Sequence, residues 1–239
     1  MNFVLRSMPS KYKHIFFDLD HTLWDHDLNT REALFEIYDE HKIESFNVHV
    51  EEFIDRYIII NRKFWKKYRN YKVSKENLRK NRFKNTFTSL NIRFEEEVYD
   101  QISLSYIDKM SQQKHLITSA LELLNYLNES YDLHIITNGF REIQFRKLSH
   151  SGILPYFENI IVSEDVGKHK PHPKVFKHAL DLSSANSSDS IMVGDNLEAD
   201  ILGAKSVGID QIYLNSSGRP HEEEVTYEVR QLGEILNIL

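Results

Sequence analysis

The apolar pattern changes character twice along the chain, and that double change leaves few folds open. Lys13 to Leu19 reads KHIFFDL, a short strand apolar enough to be buried on both faces. From about Asn29 to Ile107 the spacing turns helical: Asn29 or Thr30 can cap a helix through Tyr38, and Val50 to Tyr68 and Phe94 to Tyr106 continue it. After that the texture alternates. A helix at 119–127 is followed by a strand at 133–137, a helix at 142–149 closed by Gly152, a strand at 160–163 and a helix at 174–182. A strand at 190–193, a helix at 197–206 ending near Gly208 and a strand at 211–214 complete the series. Such alternation builds βαβ units, and hence a parallel sheet covered on both faces. The expected fold is an α/β core, residues 1–25 and 112–239, with an all-helical insertion at 26–111. That division accommodates 239 residues, a length large for one unit and small for two.

Charge and composition narrow the function. The chain has a net charge of −6, which offers no general attraction to nucleic acid or anionic lipid. Between Arg62 and Lys84, however, eleven Lys or Arg face the single acid Glu76. This strongly basic segment reads either as a solvated helical face or as an attractor for an anionic ligand. With no cysteine there is no disulfide, thiolate metal site or thiol nucleophile. MNFVLRSMPSKYKH holds no secretory apolar run, and no stretch approaches the ~18 apolar residues of a membrane span. The expected location is cytoplasmic, with no membrane partner.

In open α/β sheets ligands collect at the carboxyl ends of the strands. There the chain places Asp18, Asp20 and Thr22 after the first strand, Thr137-Asn138-Gly139 after LHII, and Gly194-Asp195-Asn196 after SIMV. Asp18 and Asp20, two apart, would share one side of an extended strand. Carboxylates gathered at one rim repel each other. A hard divalent cation relieves that repulsion, and Mg2+ tends to take one or two carboxylates, waters and a substrate phosphate. Two carboxylates in different environments can divide the roles of nucleophile and proton donor.

These residues carry a resemblance. FFDLDHTLWD resembles the first motif of the haloacid dehalogenase superfamily, IITNG its second, GKHKPHPKVF its third and GDNLEAD its fourth, all in the family's order from Asp18 to Asp200. The resemblance implies a Rossmann-like doubly wound core and a cap similar to the family's C1-type helical cap. It further implies that Asp18 attacks phosphorus to form an aspartyl-phosphate. Asp20 would protonate the leaving oxygen and then activate water. Thr137 and Asn138 would hold the phosphate, and Lys170 would balance the charge of nucleophile and phosphate. Mg2+, with Mn2+ or Co2+ as possible substitutes, would be bound by Asp18, the Asp20 carbonyl and Asp195, with Thr22, Asn196 and Asp200 behind them. Asp20 separates the chain from haloalkanoate dehalogenases, which lack this acid, because an alkoxide needs a proton to leave and a halide does not.

Over a longer stretch, TNGFREIQFRKLSHSGILPYFENIIVSEDVGKHKPHPKVFKHAL together with DLDHTLWDHDLN is similar to the noncanonical pyrimidine nucleotidases, house-cleaning 5'-nucleotidases acting on UMP, dUMP, dTMP and modified analogues. The implied partner is a nucleoside monophosphate or another small phosphorylated metabolite, not a nucleic acid. In the insertion, Trp65 and Arg82 are the candidates for substrate contact, since an aromatic face can stack on a base and a guanidinium can meet phosphate. Two rivals stay open. One is a sugar-phosphate phosphatase or phosphomutase of the same superfamily, and the other an inactive binding module using the Arg62 to Lys84 cluster. The sequence leaves monomer and homodimer equally open.

Overall fold

The first strand, β1 (His14–Phe17), is shorter than KHIFFDL suggests, because the chain turns immediately after it. Asp18 still donates its amide to the Val193 carbonyl at 2.9 Å, but the Leu19 carbonyl then accepts the amides of Thr22, Leu23 and Trp24. Asp18 and Asp20 therefore leave the strand in a tight turn, and the two-residue strand period does not govern them. The structure, a computed structural model, describes residues 11–239. The leader reading above lies outside them up to residue 10. The chain forms two compact units, one of residues up to His26 with Lys114–Leu239, the other Asp27–Gln113.

The helical unit is built from α1 (His26–Glu40), α2 (Val50–Arg69), α3 (Lys75–Ser89) and α4 (Glu96–Gln112). Helix α1 starts earlier than expected, so Asn29 and Thr30 are buried inside it rather than capping it. Its core is aromatic: the Tyr57 ring lies 4.9 Å from Phe83 and 5.3 Å from Tyr106, and Phe53 stacks on Phe87 at 5.5 Å. Tilted and stacked pairs of this kind add to simple area burial. Part of the basic segment is neutralised locally, since Lys80 pairs with Glu96 and Asp100, and Lys84 with Glu96.

The other unit continues with α5 (Ala120–Leu127), β2 (Asp132–Thr137), α6 (Arg141–His150), β3 (Asn159–Val162), α7 (Ser163–Val166), α8 (Pro173–Leu182) and β4 (Ser190–Gly194). After β4 come α9 (Gly203–Lys205), β5 (Asp210–Leu214) and β6 (Tyr227–Val229). The six strands form one parallel sheet in the order β3-β2-β1-β4-β5-β6. Phe16, Ile136, Ile161 and Met192 of the sheet are buried against Val175, Phe176 and Ala179 of α8. Strand order reverses at β1, with β2 on one side and β4 on the other, which is where such sheets open a crevice for ligands.

Two elements depart from the sequence reading. The helix expected at 197–206 opens as a π-helical turn, Leu197–Leu202, because the Asn196 carbonyl accepts from both Asp200 (2.9 Å) and Ile201 (3.3 Å). Strand β6 was not anticipated: Tyr227 and Glu228 are exposed and only Val229 is buried, so no apolar run marks it. Among the described residues no helix is long and apolar enough to cross a membrane.

Candidate active site

Because β1 lies between β2 and β4, the residues following these three strands meet at one rim. Asp18 follows β1, Thr137 ends β2 and Asp195 follows β4. The register makes this explicit: Phe17 pairs with both Ile135 and Val193. Carboxylate oxygens of Asp18, Asp195 and Asp200 lie within 4.8 Å of one another.

Lys170 is the counter-charge in this cluster. Its Nζ donates at 2.6 Å to Asp18 Oδ1, and it sits 2.6 Å from Asp200 Oδ1 and 2.6 Å from the Ile136 carbonyl, with only 2% exposure. Burial alone would push the lysine pKa down, but Asp18 and Asp200 more than reverse this and hold it firmly charged. One cation does not satisfy three acids. Burial pushes Asp18 well above the usual carboxylate range; Lys170 opposes this, while Asp200, Asp195 and Asp20 add to it. Asp195 is raised to about 7 by burial and by Asp200, against Lys170, its own backbone hydrogen bond and the Thr22 hydroxyl, which donates to it at 3.4 Å.

Asp20 is held quite differently. Lys147 Nζ donates to its Oδ1 at 2.5 Å, and Gln144 Nε2 to its Oδ2 at 2.9 Å. Burial raises its pKa, but the charges of Lys147 and His26 and these two hydrogen bonds prevail, keeping it well below the usual range and ionised. The two aspartates of one motif thus sit in opposite environments.

The Asn138 side chain is committed to the loop that carries Lys170. Its Oδ1 accepts the Lys170 amide at 2.8 Å and its Nδ2 donates to the Lys170 carbonyl at 3.1 Å, so the amide group clamps the backbone that carries the lysine. Asn196 is likewise committed, capping the π-helical turn by accepting the Ala199 amide at 2.9 Å. The Asn196 amide donates to Asp200 Oδ2 at 3.1 Å. Gly194 leaves room for that acid, since a Cβ there would lie 2.5 Å from the Asp200 Cβ.

The insertion candidates lie in the helical unit. Trp65 is half-buried and meets Tyr68 edge-on at 5.8 Å. Arg82, the other candidate for substrate contact, is buried in the core of that unit. It is 5% exposed, donates to Asn61 Oδ1 at 3.2 Å and packs over the rings of Tyr57, Phe83 and Tyr106. Sequence reasoning missed Gln144 and Lys147. The available signal was their spacing: i and i+3 on the helix that follows Thr137-Asn138-Gly139 share one face.

A family signature for haloacid dehalogenase-like hydrolases matches residues 12–208. The chain belongs to that family. Among its relatives, the pyrimidine 5'-nucleotidase PynA of Streptococcus pneumoniae is 32% identical over 95% of both chains. The pyrimidine 5'-nucleotidase YjjG of Escherichia coli is 31% identical over 96% of this chain and 98% of its own. In three dimensions the chain is similar to the HAD-hydrolase YfnB of Bacillus subtilis, solved bound to magnesium. The TM-score is 0.85, at 26% identity over 96% of this chain and 99% of that one. Membership in this hydrolase family agrees with the parallel sheet and its helical companion unit.

Proposed function

We propose that this member of the family is a phosphomonoester hydrolase working through an aspartyl-phosphate on Asp18, and that its substrates are pyrimidine nucleoside 5'-monophosphates. The observation that carries the reading is the paired but unequal setting of Asp18 and Asp20. Asp18 faces the Lys170 ammonium among other acids, while Asp20 is held on separate donors two residues away. The substrate class is supported by the names of PynA and YjjG, each matched along nearly its whole length.

A divalent cation fits the residues present. Burial and mutual repulsion push the pKa values of Asp18 and Asp195 up, so these oxygens resist being charged together unless a positive ion joins them. Asp18, Asp195 and the Asp20 carbonyl would hold Mg2+, while Asp200, already engaged by Lys170 and the Asn196 amide, stays behind them. When bound, the ion supplies charge that offsets repulsion between carboxylate and phosphate and stabilises the transition state.

The chain's own residues then divide the work. Lys170 attracts the phosphate and neutralises the nucleophile. An Asp18 oxygen bonds to phosphorus as the ester P–O bond breaks; Asp20, ionised in the free site, takes up a proton as the substrate's negative charge enters and gives that proton to the departing oxygen. In the second half, Asp20, now a carboxylate, takes a proton from the attacking water as the bond between Asp18 and phosphorus breaks, releasing inorganic phosphate. The Thr137 hydroxyl and the main-chain amides after β2 hold the phosphate oxygens throughout.

Phosphate release across mononucleotides, sugar phosphates and glycolate phosphate, with Mg2+ or with EDTA, tests this reading. Turnover is expected to be highest for UMP, dUMP or dTMP, to vanish in EDTA and to be lost in Asp18→Asn. Faster turnover of hexose phosphates would move the substrate assignment. Activity retained in Asp18→Asn or in EDTA would sink the mechanism.

A further inference from the structure

Lys147 is a lysine buried to 3% exposure that none of the four motifs includes. Its Nζ sits 4.0 Å from the centre of the Trp24 ring and 2.5 Å from Asp20 Oδ1. One turn earlier on α6, Gln144 is fully buried, and its Nε2 donates both to Asp20 Oδ2 at 2.9 Å and to Thr137 Oγ1 at 2.6 Å. The amide orientation follows from chemistry, because an ionised carboxylate accepts only and the NH2 group supplies two donors. Both Asp20 oxygens are thus fixed from a single helix face.

The same contacts settle how Thr137 is turned. Its oxygen accepts from Gln144 and from the Gly139 amide at 3.1 Å, which uses both acceptor positions of a hydroxyl. Its one proton is therefore left to donate elsewhere. Gly139 fits this arrangement sterically: a Cβ there would lie 2.4 Å from the Gln144 side chain. A glycine at the end of β2 thereby keeps open the space through which α6 reaches the site.

We propose that Gln144 and Lys147 are positioning residues for the reaction. Lys147, steadied on Trp24, and Gln144 hold the Asp20 carboxyl where it meets the leaving oxygen, and Gln144 also turns the Thr137 hydroxyl toward the phosphate. The proposal rests on the phosphatase reading above and deepens it. It assigns to α6 the task of placing the acid and base group, so α6 substitutions are felt according to how much the leaving group needs a proton.

The test compares wild type, Lys147→Met, Lys147→Arg, Gln144→Ala and Asp18→Asn on two substrates with Mg2+. UMP expels a sugar alkoxide that needs a proton, whereas p-nitrophenyl phosphate expels a phenolate that does not. In Lys147→Met, kcat for UMP should fall about 10- to 100-fold with KM within about 3-fold, and first-turnover nitrophenolate release should fall by less than about 3-fold. Lys147→Arg should recover part of the UMP rate. Gln144→Ala should show the same contrast between substrates, superimposed on a loss common to both that comes from Thr137. Because it leaves the ion pair in place, it carries the test if Lys147→Met does not fold. Equal losses on both substrates, or none, would overturn the positioning role. If those results come with an active wild type and an inactive Asp18→Asn, the phosphatase reading survives and this inference alone fails. A wild type that releases no phosphate would overturn both.

Discussion

Lys170 is the residue on which the charge balance of the site turns. It is fully enclosed, and its ammonium separates Asp18 from Asp200, each 2.6 Å away. Removing one member of a buried ionic group leaves the others uncompensated, at a typical cost of about 3–5 kcal/mol. Lys170→Met should therefore lower the urea midpoint of the metal-free protein by a corresponding amount, as well as abolish turnover. An unchanged midpoint in equilibrium unfolding would mean that the acids are relieved in some other way. Gly194 shows a quieter dependence of the same kind, since only a residue without a Cβ leaves the Asp200 carboxylate where Lys170 meets it.

At the scale of elements, the site is a set of loops pinned to strand ends, and Asn138 is the pin between two of them. Its side chain bonds both the amide and the carbonyl of Lys170. Asn138→Ala should thus misplace the lysine, lowering kcat about 10-fold or more, since small displacements of a reacting group are costly, with a lesser change in KM. Steady-state kinetics check this, and a raised KM with intact kcat would instead make Asn138 a substrate-binding side chain. How much could be read from sequence differs by element for physical reasons. The strands β1, β2, β4 and β5 are buried on both faces, so each leaves a continuous apolar run. Strand β6 has one buried residue and leaves none. Asp18 and Asp195 could be read as acids at the ends of such runs, whereas Lys170, one lysine among several in GKHKPHPKVF, is reached only through the family resemblance. Gln144 and Lys147 sit on an ordinary polar helix, where a lysine reads as surface until the fold buries it. Arg82 is concealed in the same way, because a cation in a basic segment gives no sign that three aromatic rings enclose it.

For the whole molecule, the active rim is one end of the strands, and a buried histidine sits toward the other. His134 on β2 is fully buried, 3.2 Å from His14 on β1 and 3.2 Å from Asn159 on β3, with Asp132 3.6 Å from His14. Burial first, and then His14, lower the His134 pKa from 6.5 to about 4, with Asp132 opposing. The sign of the linkage is fixed by that depression. Above pH 6.5 neither the folded nor the unfolded chain binds the proton and the full stability is present. Between pH 6.5 and about 4 only the unfolded chain binds it, so stability falls as the pH drops. Denaturant unfolding at pH 7 and pH 4.5 should differ by about 2 kcal/mol more in wild type than in His134→Gln. An identical difference in the two proteins would place the acid sensitivity elsewhere. This loss is independent of the chemistry at the far rim, so a fall in activity near pH 5 has to be separated from a fall in folded protein before it is assigned to Asp18 or Asp20.

Covalent phosphorylation of Asp18 during turnover can be observed directly. Asp20→Asn removes the base that activates water while leaving Asp18 and Lys170 in place, so the acyl phosphate should outlast its formation when p-nitrophenyl phosphate is the donor. Acid-quenched protein, examined by intact-mass and peptide mass spectrometry, should carry one phosphoryl group on the peptide containing Asp18, and none in the Asp18→Asn, Asp20→Asn double variant. Release of nitrophenolate with no adduct at any quench time, or an adduct that persists without Asp18, would mean that Asp18 is not the nucleophile.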